Sequence, residues 1–344
     1  MRRAVLWPLA VAVLAALAFL AWRLADERNF ASAPFGEGTR TVLVPTGTGP
    51  HALARLLAEA RVVADEQRFY THLHWFRRGA RTKAGEYEFE GALMPDEVLG
   101  KLIRGDVKLY RFTAVEGLRA DEIAKVVDET GLCPAADFVK LARDPASPRK
   151  FGVPGPTLEG YLFPDTYSLA RGAGCLGVVQ AMVARFQKAW AQAQPQRLAS
   201  VKLDEREAVT LASIVEKETG QPQERPRISC VFHNRLRKGM RLMTDPTVIY
   251  AVLLANDFSW DGNLRKKDLL RPHPYNTYLV QGLPPGPIAN PGQAALDAAL
   301  HPAQCNDLYF VSKNDGTSVF CPDLKCHEKN VQKFQVEYFR HKRG

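Results

Sequence analysis

Several signatures that usually place an enzyme are missing from this chain of 344 residues. It has no G-x-S-x-G elbow and no P-loop, so neither a serine hydrolase nor a nucleotide enzyme is supported. His233, His273, His301 and His327 show no metal-ligand spacing such as H-E-x-x-H; they read as structural residues, and no metal or other cofactor is expected. There is no internal repeat and no low-complexity tract, and the composition suggests neither bulk disorder nor fibre. After the first 22 or so residues no second long apolar run follows, which excludes a multi-span membrane protein. The net charge is +9, yet no recognised nucleic-acid motif accompanies it. The basic residues are dispersed apart from "FRRGAR" at 76–81 and the tail "FRHKRG", so no nucleic-acid partner is expected. A solvated basic surface attracted to anionic lipid or polymer is the simpler account.

What is present suits an ordinary globular protein of about two domains, 46% hydrophobic and 24% charged. "MRR" precedes a stretch from Ala4 to Trp22 without a charge. As a helix it would run about 28 Å, close to the roughly 30 Å hydrocarbon core of a bilayer. Arg2 and Arg3 put the N-terminus in the cytoplasm by the positive-inside rule, and the remainder outside. A cleaved signal peptide is the competing reading, with Ala16 and Ala18 near a cleavage site. Its apolar core would usually run only about 7–15 residues, so length favours a single-pass anchor. Six cysteines fit an oxidising compartment. They allow about 15 full pairings, and sequence alone assigns none. Cys133 and Cys175, each beside Gly or Pro, are the pair expected to bridge. Cys230 lies in an apolar helical run and reads as a buried thiol. Cys305, Cys321 and Cys326 cluster late, where one bridge would leave one thiol over.

The patterning gives an α+β fold. Residues 1–23 are the cytoplasmic N-terminus and anchor, and 24–38, "LADERNFASAPFGEG", a polar linker. Residues 39–115 form a small α+β domain. In it "TRTVLVP", "AGEYEFE" and "VKLYRFTAVEG" read as strands, and helices lie between, one of them closed by Gly105. Residues 116–344 form a larger mixed domain. Its helices fall near 120–129, 135–144, 176–195, 204–219 and 227–239, with another after Pro246 and a closing helix and hairpin. "TLEGYLFPDTYSL" is too punctuated for a regular element. From 257 to 291 the chain is irregular and rich in Pro, Gly, Asn and Tyr, as functional segments often are.

"LASIVEKETG" (211–220) sets Glu216 and Glu218 two residues apart. Ala208, Leu211, Ala212 and Val215 share one helix face, and the two acids flank it roughly 200° apart around the axis. On that geometry they cannot act together on one bond. Flank acids making surface ion pairs explain the spacing equally well. Longer motifs separate the readings. "LEGYLFPDTY" (158–167), "FHNRLRKGMRLMTDPTVIY" (232–250), "RPHPYNTYLVQGLPPGPIANPG" (271–292) and "YFVSKNDG" (309–316) together resemble the endolytic murein transglycosylases, the YceG-like proteins of the bacterial inner membrane. The likeness covers nearly the whole chain.

That resemblance implies a LysM-like first domain and a catalytic domain that cuts peptidoglycan glycan strands, leaving 1,6-anhydromuramic ends. It implies cutting within nascent strands at the membrane, and so limiting their length, beside the peptidoglycan synthases. It also selects Glu218, directly before Thr219, as the catalytic acid, with Glu216 and Thr219 in support. Such an acid needs a pKa raised toward neutrality, which burial supplies, and Lys217 is expected to point away. A glycan groove needs flat apolar surfaces and fixed polar groups. Tyr161, Phe163, Tyr250, Tyr275 and Tyr278 are candidates for the first, and Asp165, Asn234, Asp245, Asn276 and Asn290 for the second. A structural role competes for each, Asp245 before Pro246 as a helix cap, for example. The rival functions are a non-catalytic glycan-binding scaffold and a hydrolytic muramidase using Asp245 or Asp165 as a second acid.

Overall fold

A computed structural model of the chain describes residues 2–76, 81–256, 258–338 and 340. Most of the two basic clusters, at 76–81 and 339–344, therefore lies outside the described residues. The chain folds as two compact units, one of residues 1–110 with 170–172, the other of 111–169 with 173–344.

The first unit begins with helix α1 (Arg2–Ala31), followed by β1 (Thr39–Val44), α2 (Pro50–Glu59), α3 (Glu66–Thr71) with a π turn at His72–Phe76, β2 (Gly85–Glu90) and α4 (Pro95–Arg104). Strands β1 and β2 pair antiparallel, with Val42 opposite Tyr87. Alternation sends Val42, Val44, Tyr87 and Phe89 to one face, where they bury against Leu53, Leu57, Leu99 and Leu102 of α2 and α4. Gly105 closes α4 in the left-handed region at φ 76°, which only glycine adopts at little cost. The linker expected at 24–38 is not one. Helix α1 continues to Ala31, Phe30 is 6% exposed within this core, and Asp26 pairs with Arg68 at 2.9 Å. Glu27 bonds His72, whose other ring nitrogen meets Asp96 at 3.0 Å. Polar residues that read as linker are thus partners for α3 and the π turn that follows it. Among the described residues no helix is long and apolar enough to cross a membrane.

The second unit carries β3 (Leu109–Thr113, shared with the first), α5 (Ala120–Asp128), α6 (Ala135–Arg143), α7 (Ser147–Phe151), β4 (Thr166–Ala170), α8 (Gly174–Ala193), α9 (Glu205–Glu218), α10 (Arg225–Arg237), α11 (Asp245–Ala255), α12 (Lys266–Leu269), α13 (Gln293–Leu300), the hairpin β5 (Tyr309–Ser312) and β6 (Ser318–Cys321), and α14 (Leu324–Val331). Helix α9 is central. Helices α10, α11 and α13 pack on it, and every residue from Ala208 to Val215 is buried. The single apolar stripe read from the sequence is therefore too narrow, because small and hydroxylated residues such as Thr210 and Ser213 satisfy themselves on nearby groups and bury as well. Thr210 Oγ1 donates to Arg206 O at 2.7 Å, and Ser213 Oγ to Thr210 O at 2.7 Å.

Cys133 and Cys175 are bridged. Cys230, expected as a free buried thiol, instead bridges Cys305, tying α10 to the segment after α13. Cys321 bridges Cys326, so the expected leftover thiol is absent. All three bridges lie in the second unit.

Candidate active site

Helix α9 is defined at both ends by local chemistry. Asp204 accepts the Glu207 N–H at 2.8 Å, and Glu207 reaches back to the Asp204 N–H at 2.8 Å, a capping box. At the other end Thr219 takes an extended backbone (φ −143°, ψ 137°) and its hydroxyl accepts the Gln221 N–H at 2.9 Å. Glu218 is thereby the last helical residue.

A cleft of about 690 Å³ lies across that end. Its walls come from 113–116 at and beyond the end of β3, from 164–166 before and into β4, from 216–220, and from Arg225 at the start of α10. Both acids of the 216–218 pair line it. The helical-wheel argument that keeps them apart applies along a helix face, whereas this cleft is reached over the helix end.

Their surroundings differ. Glu218 accepts a hydrogen bond from the Thr244 hydroxyl. Burial is the largest influence on its carboxyl and pushes the pKa up to about 7. The Thr244 bond opposes this, the charge of Asp245 adds to it, and Arg235 opposes it. The residue keeps some exposure toward the cleft, while its carboxyl is enclosed. Arg235 is itself committed, donating to the Leu308 and Leu242 carbonyls at 2.6 Å each. Glu216, with a side chain only 5% exposed, accepts from Arg225 at 2.7 Å and from the Gly292 N–H at 3.0 Å. The pair is an anchored ion pair beside a carboxyl that holds its proton to near neutrality. Lys217 is exposed and donates to the Gly117 carbonyl at 3.2 Å. It lines the cleft too, yet it is not among the charges acting on Glu218. Glu116 stands 3.7 Å from Arg225 and is 48% exposed; burial first and then the Glu216 charge raise its pKa, with Arg225 opposing.

Of the ten groove candidates the structure brings few to this cleft. Asp165 lines it, held to Arg185 at 2.7 Å. Asp245, whose charge acts on Glu218, accepts from Tyr278 OH at 2.7 Å. As the first residue of α11 it makes no cap of its own, Thr244 being the N-cap residue. Tyr161 is wholly buried, edge-on to Phe186 at 5.0 Å, and Phe163 lies buried beneath Arg185. Tyr250 is buried against Tyr275 at 5.0 Å; Tyr275 is half-buried, with its pKa pushed up to about 12 by that burial. Asn276 is buried and orders its own loop, donating to the carbonyls of Leu269 and Arg271 at 3.0 and 2.9 Å. Asn290 is buried among backbone amides. Asn234 belongs to a second cleft of about 760 Å³ beside the Cys230–Cys305 bridge, donating to the Cys305 and Asp307 carbonyls at 3.1 and 2.9 Å. Tyr161, Phe163, Tyr250, Asn276 and Asn290 are thus buried away from the Glu218 cleft, and Asn234 faces the second one.

The sequence reading misses Thr244, Arg225, Arg235 and Glu116. Nothing in linear spacing marks them, since their meeting depends on α9, α10 and α11 converging. Among the described residues no group of three or more His, Cys, Asp or Glu side chains could hold a metal ion.

Residues 42–333 match the model of the YceG-like family. The chain is 31% identical over 312 residues to an endolytic murein transglycosylase of Bacillus subtilis (strain 168), covering 86% of this chain and 85% of that protein. It is 28% identical over 327 residues to one from Streptococcus pneumoniae serotype 2, covering 85% of this chain and 57% of that protein. A crystal structure of a YceG-like protein from Listeria monocytogenes is similar at a TM-score of 0.57 and 30% identity, covering 86% of this chain and 99% of that one.

Proposed function

The chain belongs to the YceG-like family, and from that premise we propose that it is a lytic transglycosylase in which Glu218 cuts peptidoglycan between N-acetylmuramic acid and N-acetylglucosamine. The observation that carries this is the enclosed Glu218 carboxyl on a cleft wall, its pKa pushed up to about 7 and one oxygen fixed by Thr244. Because Oε1 accepts from the Thr244 hydroxyl, the acid proton belongs on Oε2. That oxygen protonates the bridging glycosidic oxygen as the bond breaks. The substrate's acetamido group stabilises the oxocarbenium-like centre. Ionised Glu218 then takes the proton of the muramic 6-hydroxyl, which closes on the anomeric carbon. The product is a 1,6-anhydro end, and no water is consumed. One carboxyl serves as acid and then base, whereas a hydrolase would need a second, uncommitted one. Asp165 and Asp245, the sequence candidates for that second role, already hold partners.

The remainder of the proposal concerns place. The uncharged stretch Ala4–Trp22 supports a single-pass anchor in a bacterial inner membrane, N-terminus cytoplasmic, and six bridged cysteines support an oxidising exterior. The first unit is read as LysM-like. Cutting within nascent strands, beside the synthases, follows from such an anchor. Mass spectrometry of a peptidoglycan digest with the full-length protein tests the chemistry. Anhydro ends that vanish in Glu218→Gln support it; reducing ends would indicate a muramidase, and unchanged strands a scaffold. Extraction of the protein from membranes by alkaline carbonate would count against the anchor.

A further inference from the structure

Asn290 and Glu159 lie outside the cleft and take no part in the proton transfer. Asn290 is fully buried and uses both ends of its amide and both backbone groups on other segments. Its Oδ1 accepts from the N–H groups of Gly160 and Leu162 at 2.8 and 2.9 Å. Its Nδ2 donates to the Leu118 carbonyl at 2.9 Å and to Glu159 Oε1 at 2.8 Å. Its backbone N–H donates to Leu118 O and its carbonyl accepts from Gly117, both at 2.9 Å. Glu159 also accepts the N–H of Ala120, the first residue of α5, at 3.0 Å, and its Oε2 lies 3.4 Å from the Tyr250 hydroxyl. Segments 117–120, 159–162 and 288–292, distant in sequence, are fastened at one point.

Each of these segments runs straight into a cleft wall. Glu116 precedes Gly117, and Pro164 and Asp165 follow Leu162. Gly292, two residues after Asn290, donates its N–H to Glu216. The crossings are close. A Cβ on Gly160 would stand 2.4 Å from Pro287, and one on Gly292 1.8 Å from Glu116 Oε1. Interiors packed this tightly transmit a displacement instead of absorbing it. Oε1 takes the two shorter bonds, whereas Oε2 meets the Ala120 N–H at 3.3 Å and the Tyr250 hydroxyl at 3.4 Å, so the Glu159 proton belongs on the more weakly engaged Oε2, facing Tyr250. Burial, with the Asp121 charge, pushes this acid up to about 8, so it is neutral at pH 7 and behaves as an amide would.

The structure assigns Asn290 and Glu159 a positioning role: a buried pair that holds the chain segments walling the Glu218 cleft in register for glycan cleavage. The inference rests on the proposed function and names residues that serve its site from behind. In Asn290→Asp, an acceptor faces Glu159 Oε1 and the Leu118 carbonyl. That variant should lose roughly tenfold or more in kcat, with a smaller change in KM, as misplacement of a reacting wall does. Amide hydrogen exchange at Gly117, Gly160, Leu162 and Gly292 should quicken with it. Glu159→Gln copies the neutral acid and should keep kcat within roughly threefold. A neutral Glu159 already offers what an amide would, and the Leu118 carbonyl still faces an oxygen when the two substitutions are combined, so the double variant should lose as much kcat as Asn290→Asp alone. A purely structural pair would lower the melting temperature and leave kcat and the exchange of the cleft-wall amides in the folded protein unchanged.

The assignment is overturned if folded Asn290→Asp cleaves at the wild-type rate. It is equally overturned if Glu159→Gln loses as much as Glu218→Gln. Should Asn290→Asp fail to fold, Glu159→Ala takes its place: it deprives the Asn290 Nδ2 and the Ala120 N–H of their shared acceptor and should lower kcat and quicken the same amides. If the wild-type protein leaves glycan intact, the proposed function has failed, and exchange at those amides alone decides whether the pair holds the walls.

Discussion

Glu218→Gln should end cleavage and yet gain stability on the wild type as the pH rises through neutrality. Folding raises the Glu218 pKa from an ordinary 4.5 to about 7. Between those values the folded state binds more protons than the unfolded one, so stability falls as pH rises through the window. A rise of about 2.5 pH units, at about 1.36 kcal/mol each, corresponds to about 3 kcal/mol once both states are ionised. Glutamine does not titrate and escapes the loss. Between pH 5 and pH 8 the variant should gain about 2.5 kcal/mol on the wild type by this linkage. Any fixed cost of placing an amide beside Thr244 is equal at both pH values and drops out of the comparison. Glu159, raised to about 8, titrates identically in both proteins. Urea denaturation of the two proteins at pH 5 and pH 8, disulfides intact, measures the difference. A gap that does not change with pH, or a wild type that gains on the variant toward pH 8, would refute the argument that Glu218 holds its proton in the folded chain.

Glu216→Gln removes the nearest partner of Arg225, a side chain 9% exposed, and should cost about 3 kcal/mol in denaturation, softened by Glu116 nearby. Its loss of cleavage should be far smaller than that of Glu218→Gln. Thr244→Val deletes a bond that lowers the Glu218 pKa, so the alkaline limb of the pH–rate profile should move upward by less than about one pH unit, with kcat down roughly tenfold. Replacing Cys230 and Cys305 together by serine opens a bridge spanning 75 residues and should cost about 2–4 kcal/mol, read from the shift in urea midpoint.

Much of the fold is legible in the sequence wherever a repeating pattern meets a single neighbour. The alternation at 39–44 and 85–90 encodes strands β1 and β2, and Gly105 marks the end of α4. Legibility fails where several segments converge. The runs around Tyr161 and Asn290 are broken by Gly and Pro and read only as irregular chain. They are buried, because the Asn290 amide supplies to Gly160 and Leu162 the hydrogen bonds that a strand neighbour would otherwise give. Polar side chains at such positions pass for sugar contacts until the packing is known. The Cys230–Cys305 bridge escapes the sequence for the same reason, since only the placement of α10 beside the chain after α13 brings those sulfurs together. Glu218 is singled out through family likeness. Its enclosure and its Thr244 partner have no linear trace.

Glu218 closes α9, and the final turn of any α-helix ends in carbonyls with no partner in the helix. Their aligned dipoles amount to roughly half a negative charge, concentrated where this acid sits. An anion there is opposed by the backbone itself, so proton retention belongs partly to the helix terminus and would survive substitutions elsewhere on the cleft wall. Extending the helix by a turn beyond Thr219 would carry that partial charge away from Glu218 and turn a poised proton donor into a more ordinary carboxylate.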